Sequence, residues 1–150
     1  MNAYELFGHW AVVRGGLLQA LDELTDAQLG FVPRAGMWSL GMVARHIANA
    51  EEGWFRYATT RELAEWPAEY TAQDFPTVES IKALLSEVHA RTETFLKALD
   101  VVGLDHDLEM PWGEKLSLRQ IIWHVLEHEI HHRGEIYLML GLVGLEAPDV

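Results

Sequence analysis

Half of the chain's eight histidines fall within one short apolar-rich stretch, IIWHVLEHEIHHRGEIYLML. They are His124, His128, His131 and His132. At 100° per residue, His124, His128 and His132 share one face of a helix, and Glu135 lies on the same face. The isoleucine, leucine and valine residues between them predict a helix that packs into an interior. We therefore expect the imidazoles to face inward.

This spacing is typical of a metal site. Neutral imidazole is the commonest metal ligand among side chains, and two histidines at i and i+4 can reach one ion from the same helix. His124 and His132 are two turns apart, about 12 Å, which is too far for both to bind one ion. One ion can thus take His128 with either neighbour, and the remaining ligand must come from another helix.

Two other interpretations of the cluster stay open. The zinc-protease pattern H-E-x-x-H needs His132 as its second histidine, and the spacing in HEIHH allows this. Alternatively, the histidines hydrogen-bond to one another and to nearby carboxylates without any ion.

Composition narrows the class of protein. A length of 150 residues with 49% hydrophobic content predicts one domain, residues 1–150, with a core of its own. Cysteine is absent, so a metal site must use nitrogen and oxygen donors. A formal net charge of −12 argues against nucleic acid and anionic membranes as partners. Because the sequence shows neither a signal peptide nor a membrane span, we expect a cytoplasmic protein.

Apolar residues at three- and four-residue steps predict four helices and an all-α, four-helix-bundle fold. The predicted helices cover about residues 2–24, 39–60, 77–99 and 117–141. The connection at residues 61–76 reads as a surface loop that packs on itself, and residues 100–116 as an irregular link with a short extended piece near residue 109.

The second and fourth predicted helices resemble each other. Ser39 and Ser117 are each suited to cap a helix, and each precedes a histidine, His46 or His124, by seven positions. This echo suggests approximate internal two-fold character and predicts that both histidines face the bundle interior near one end. The other three histidines are given no function. We expect His9 at a surface or boundary position, His89 on a solvated helix face and His106 in an exposed loop. A metal pair of His89 with Glu93 is conceivable.

Three segments, WSLGMVARHIANAE, LSLRQIIWHVLEHEIHHRGEI and LMLGLVG, resemble the DinB-like (YfiT-like) superfamily of small four-helix-bundle metal proteins. The HHRGE segment is the most specific of them. The resemblance implies a divalent metal, often zinc or nickel, bound by His46, His128 and His132. Glu135 stands where glutamine is commoner, and His124 and His131 become additional histidines outside the ligand set.

The resemblance also implies a function. The first hypothesis is a metal-dependent S-transferase that uses a low-molecular-weight thiol of the bacillithiol or mycothiol type and a small-molecule electrophile. The alternative is a metal-dependent hydrolase, with Glu135 or His124 carrying the proton. A third hypothesis is a stress-related protein that binds a metal or small molecule without catalysis. Trp10, Trp54 and Trp123 exceed what the core of a small bundle easily buries, so exposed tryptophan is expected, and relatives often pair through helices. Together these features predict a homodimer.

Overall fold

The computed structural model describes residues 1–150 and is mostly helical. Its helices are α1 (Ala3–Leu6), α2 (His9–Asp22), α3 (Leu40–Glu52), α4 (Val78–Ala98) and α5 (Leu118–Leu142), with a π-helical turn, Gly53–Thr59, directly after α3. Helices α2 to α5 form the predicted four-helix bundle, which confirms the all-α fold class. None of the helices combines the length and the apolar character that crossing a membrane requires.

A small hairpin occupies part of the link between α4 and α5. Strands β1 (Asp107–Glu109) and β2 (Lys115–Ser117) pair antiparallel, so the predicted extended piece exists and has a partner. The hairpin leads directly into α5, and its last residue, Ser117, is also the cap of that helix.

Side-chain caps set the starts of the long helices. Ser39 Oγ accepts a hydrogen bond from the Met42 amide at 3.2 Å, and Ser117 Oγ accepts one from the Gln120 amide at the same distance. Thr77 caps α4 in the same way. Each cap satisfies an amide that has no partner within the helix, so these starts are determined locally, as predicted.

The predicted first helix is wrong in one respect, because it is two helices. Phe7 and Gly8 separate α1 from α2, and the backbone leaves helical geometry at Phe7, where φ is −98° and ψ is 24°. Helix α1 is tied to the end of α4, where the Ala3 amide donates to the Leu99 carbonyl at 2.8 Å. Leu6, which fits the apolar stripe of one continuous helix, is exposed instead. The periodic apolar pattern therefore did not reveal this interruption.

A buried ionic network connects the four helices of the bundle. Arg14 of α2 donates from Nε to Glu129 Oε1 at 2.7 Å and from Nη2 to Glu51 Oε2 at 2.6 Å. Trp10 Nε1 donates to the other oxygen of Glu129 at 2.6 Å, and His89 Nδ1 lies 2.7 Å from Glu51 Oε1. All five side chains are buried, and each of the four bundle helices contributes at least one of them.

Two predictions fail at this network. His89 does not lie on a solvated helix face, because its ring packs against Trp10 and hydrogen-bonds to Glu51. Trp10 is also buried rather than exposed, whereas Trp123 is indeed exposed and Trp54 is partly buried. Polar side chains on α2 and α4 are thus turned inward to balance the two buried carboxylates. His9 and His106 are exposed, as predicted.

The connection after the π-helical turn lies against α3. Trp66 covers Gly53 so closely that a Cβ at this glycine would lie 2.4 Å from two atoms of the indole ring. Asn49 Nδ2 donates to the carbonyls of Pro67 and Ala68 at 3.0 and 2.8 Å, and Asn49 Oδ1 accepts from Trp66 Nε1 at 3.2 Å. Since these contacts anchor the connection to α3, they also fix where its next residues lie.

Candidate metal centre

Three imidazoles from two helices converge at the surface between α3 and α5. His128 Nε2 lies 3.2 Å from His46 Nε2 and 3.1 Å from His132 Nε2. One nitrogen of each ring lies within 4.8 Å of those of the other two, so the group could hold a metal ion. All three residues are only partly buried, so part of each remains accessible to solvent.

A carboxylate lies beside the outer nitrogen of two of these rings. Glu69 Oε1 is 2.8 Å from His46 Nδ1, and Glu135 Oε2 is 2.7 Å from His132 Nδ1. An ionised carboxylate can only accept, so each Nδ1 must carry the proton and donate it. In the neutral rings, Nε2 of His46 and of His132 is then left with a free lone pair that points toward His128.

This arrangement fits a cation. His128 Nε2 can donate to at most one of its two neighbours, so at least one close pair of ring nitrogens lacks a shared proton. Two imidazole nitrogens bound at about 2.0–2.1 Å to one tetrahedral ion lie about 3.3 Å apart, close to the observed separations. A divalent ion satisfies all three lone pairs at once. Histidines that bind a metal commonly donate their other ring N–H to a carboxylate, as His46 and His132 do here.

The electrostatics of the cluster keep its central ring neutral. Burial, together with the neighbouring imidazoles of His132 and His46, lowers the pKa of His128 from 6.5 to about 3. Burial also lowers the pKa of His132, although its hydrogen bond to Glu135 acts in the opposite direction. A neutral imidazole is the form that binds metal, so these rings are ready to do so near neutral pH.

The remaining histidines of α5 lie outside this group of three. His124 is exposed and packs edge-on against Trp54, with ring centroids 4.6 Å apart, so the prediction that it faces the interior is wrong. His131 is exposed, and its Nε2 lies 3.3 Å from Glu135 Oε1. Glu135 therefore bridges His131 and His132, and these three residues form a second, more exposed group that could hold an ion.

The zinc-protease interpretation of HEIHH does not fit the geometry. Its glutamate, Glu129, points into the bundle core and is only 1% exposed. Both of its carboxylate oxygens are engaged by Arg14 and Trp10. A general base must reach the reacting proton, and this carboxylate faces away from His128 and His132.

Two residues of the centre are absent from the sequence-based prediction. Glu69 belongs to the connection predicted to pack on itself, and nothing in its local sequence indicates a contact with His46. Trp38, just before the cap of α3, lies edge-on to His46 with ring centroids 4.8 Å apart and parallel to His132 at 6.5 Å. Its place in the WSL segment beside a helix cap is the one local signal.

Comparisons with known proteins agree with this architecture. A DinB-like protein from Bacillus cereus superposes with a TM-score of 0.80 at 23% identity, covering 96% of this chain and 94% of its own. YfiT from Bacillus subtilis, described as a probable metal-dependent hydrolase with an unusual four-helix bundle topology, matches with a TM-score of 0.61 at 25% identity over 86% of this chain and 82% of its own. The uncharacterised protein YrdA of Bacillus subtilis is 22% identical over 144 residues, which are 94% of this chain and 83% of YrdA.

The family assignment rests on the whole length of the chain. The model of the DinB family matches residues 1–150, which include α3 and α5 with their convergent histidines. The chain therefore belongs to the DinB family.

Proposed function

We propose that this protein is a metal-dependent enzyme whose divalent ion, zinc or nickel, is bound by His46, His128 and His132. The observation that carries the proposal is the set of three converging Nε2 atoms, two of which have their protons held on the opposite ring nitrogen by carboxylates. Without a cation the facing lone pairs repel, and with one they become ligands.

The chain's own residues have separable roles in this proposal. Glu69 and Glu135 orient the rings of His46 and His132 and keep Nε2 unprotonated. Glu135 is also 41% exposed beside the cluster, so it can accept or return a proton when a substrate binds. We assign His124 at most a similar accessory role, since its ring centroid is 6.5 Å from that of His128.

The first candidate reaction is transfer of a low-molecular-weight thiol to a small electrophile. If His46, His128 and His132 hold a divalent ion, the chemistry that it would supply is a lowered pKa for a thiol or water bound to it. The resemblance to the superfamily, whose members include thiol-dependent transferases, supports a thiol of the bacillithiol or mycothiol type. Glu135 would receive the thiol proton as the sulfur–carbon bond forms, while the bond from that carbon to the leaving group breaks and the leaving group departs with its electron pair.

The second candidate reaction is hydrolysis, with water as the nucleophile. It is favoured by the likeness to YfiT, which is described as a probable metal-dependent hydrolase. The three histidines and Glu135 keep the same roles, and only the nucleophile differs. The two reactions are therefore distinguished by what must be added to the assay.

Metal content of five single variants tests the ligand set. Alanine at His46, His128 or His132 should abolish stoichiometric binding, because two nitrogens hold a divalent ion weakly. Alanine at His124 or His131 should leave the metal in place, with at most about a 10- to 100-fold loss of affinity. Loss of metal in His124→Ala together with retention in His132→Ala would show that the ligand pair is one turn earlier in α5.

An activity panel tests the reaction. Zinc- and nickel-loaded protein is incubated with several low-molecular-weight thiols and a generic aromatic electrophile, and separately with simple esters and amides. Conjugation that needs both metal and thiol supports the transferase, whereas cleavage without thiol supports the hydrolase. If both assays are silent and metal binding is tight, the protein is a binding protein and the enzymatic proposal is wrong.

A further inference from the structure

An apolar cavity of about 330 Å³ opens directly beside the metal centre. Its walls come from the segment before α3, from α3 itself and from the second half of α5. The lining residues are Pro33, Met37, Trp38, Val43, His132, Glu135, Leu138 and Met139. The volume lies at the lower end of the range of about 300–1,000 Å³ that is usual for small-molecule sites.

The cavity and the histidine cluster share a wall. His132 belongs to both, and the indole of Trp38 stacks parallel to its ring while meeting His46 edge-on. Glu135 stands at the same boundary, hydrogen-bonded to His132. A molecule in the cavity is therefore in contact with the residues that surround the three converging nitrogens.

The chemistry of the lining selects against negative charge. No lysine or arginine lines the cavity, and its one acidic side chain is Glu135. Val43 and Met139 are buried, whereas Met37, Trp38 and Leu138 leave apolar surface open to solvent. An anionic group would thus be desolvated beside a carboxylate without a partner, while an uncharged apolar group would cover exposed hydrocarbon.

We propose that this cavity binds the uncharged, apolar part of the substrate, either the body of the electrophile or the acyl chain of an ester or amide, and holds its reactive end beside His132. The polar thiol or water then approaches from the other side of the histidine cluster. This inference deepens the proposed function and rests on it for the identity of the reactive end. The cavity's preference for a neutral apolar ligand can be tested without any reaction.

The methionines provide a residue-specific readout. Met37 and Met139 line the cavity, whereas Met1 and Met110 lie outside it. Full-length protein with ¹³C-labelled methionine methyl groups is titrated with N-hexylacetamide and with 6-acetamidohexanoate, in which a carboxylate replaces the terminal methyl group of the hexyl chain. We expect saturable shifts of the Met37 and Met139 methyls with the neutral ligand, and at least about tenfold weaker binding of the anionic one.

A matched pair of variants locates the effect. Leu138→Lys removes an apolar wall and adds a cation. It should therefore weaken the binding of N-hexylacetamide and reduce the difference in affinity between the neutral and the anionic ligand. Leu142→Lys changes an exposed leucine one turn further along α5, outside the cavity, and should leave both affinities unchanged. The titrations are run with and without zinc. The ligand affinities can therefore be interpreted even if the protein binds no metal or shows no activity.

Several outcomes would overturn the inference. One is that the methyl resonances of Met1 and Met110 shift as much as those of Met37 and Met139. Another is that Met37 and Met139 show no saturable shift. A third is that the anionic ligand binds as tightly as N-hexylacetamide. If the Met37 and Met139 resonances change with protein concentration and not with ligand, a second copy of the chain covers this surface, and the substrate proposal is wrong.

Discussion

Replacing Arg14 by methionine should strongly destabilise the fold. Methionine has a similar length but no charge, so the substitution removes the cation from the centre of the buried network. It breaks the ion pairs with Glu51 and Glu129 at 2.6 and 2.7 Å, and the hydrogen bond from Nη1 to the Leu85 carbonyl at 2.7 Å. Both carboxylates then remain almost completely buried without their principal partner.

The expected loss in free energy of unfolding is about 3–5 kcal/mol, which is typical when one partner of a buried ion pair is removed. Domains are usually stable by only about 5–15 kcal/mol, so the variant loses a large part of its stability. For a chain of this size each kcal/mol corresponds to about 2–4 °C, so Tm should fall by about 6–20 °C.

In this variant, the contribution of Glu51 to the pH dependence of the free energy of unfolding should change sign. Burial disfavours the charged form of Glu51, but Arg14 and His89 outweigh this effect and lower its pKa from 4.5 to about 2. The wild-type protein therefore gains stability from Glu51 above pH 4.5 and loses it as the pH falls toward 2. In Arg14→Met the burial effect dominates and raises the pKa of Glu51, so this carboxyl favours folding below its folded pKa and disfavours it above.

Urea unfolding followed by circular dichroism at pH 5 and pH 7 measures both effects. The difference between wild type and Arg14→Met should be larger at pH 7 than at pH 5. Arg119→Met serves as the control, because it breaks an exposed pair with Asp105 and should leave Tm essentially unchanged. A loss below about 1 kcal/mol, or a difference that does not vary with pH, would refute the reasoning.

Three further predictions concern the metal centre, the packing of the connection and assembly. Glu69→Ala should weaken metal binding by about 10- to 100-fold, because His46 loses its orienting carboxylate. Glu65→Ala, in the same exposed connection, is the control and should leave the metal affinity unchanged. Equal metal affinities of the two variants in a competition titration would contradict this role of Glu69. Gly53→Ala should displace Trp66, shift the tryptophan fluorescence and cost about 1–3 kcal/mol, so an unchanged spectrum and Tm would argue against the close contact. Light scattering should give twice the 17.0 kDa chain mass at micromolar concentration, and a monomer mass would rule out the homodimer.

Much of the fold is predictable because helix formation depends on local patterns. Apolar spacing identified the four bundle helices, and Ser39 and Ser117 cap α3 and α5 as their sequence suggests. The pattern missed the break after α1, a short helix whose first residue, Ala3, is hydrogen-bonded to Leu99 at the far end of α4. Periodicity carries no information about such a partner.

The candidate centre divides in the same way. Spacing alone places His128 and His132 one turn apart on one helix, and the absence of cysteine limits any ligands to nitrogen and oxygen donors. Spacing could not choose between His124 and His132 as the neighbour of His128. That choice depends on which part of α5 faces His46 across the bundle, and this is a matter of helix packing.

The helices and the histidine-rich face of α5 could be predicted from the amino-acid sequence, as could the three histidines that meet, through the resemblance to the DinB family. Only the tertiary structure turned Glu129 into the core, buried His89 and brought Glu69 from the connection to His46. The physical reason is that a helix's pattern specifies which residues share a face, whereas the partner of that face depends on how all the helices pack together.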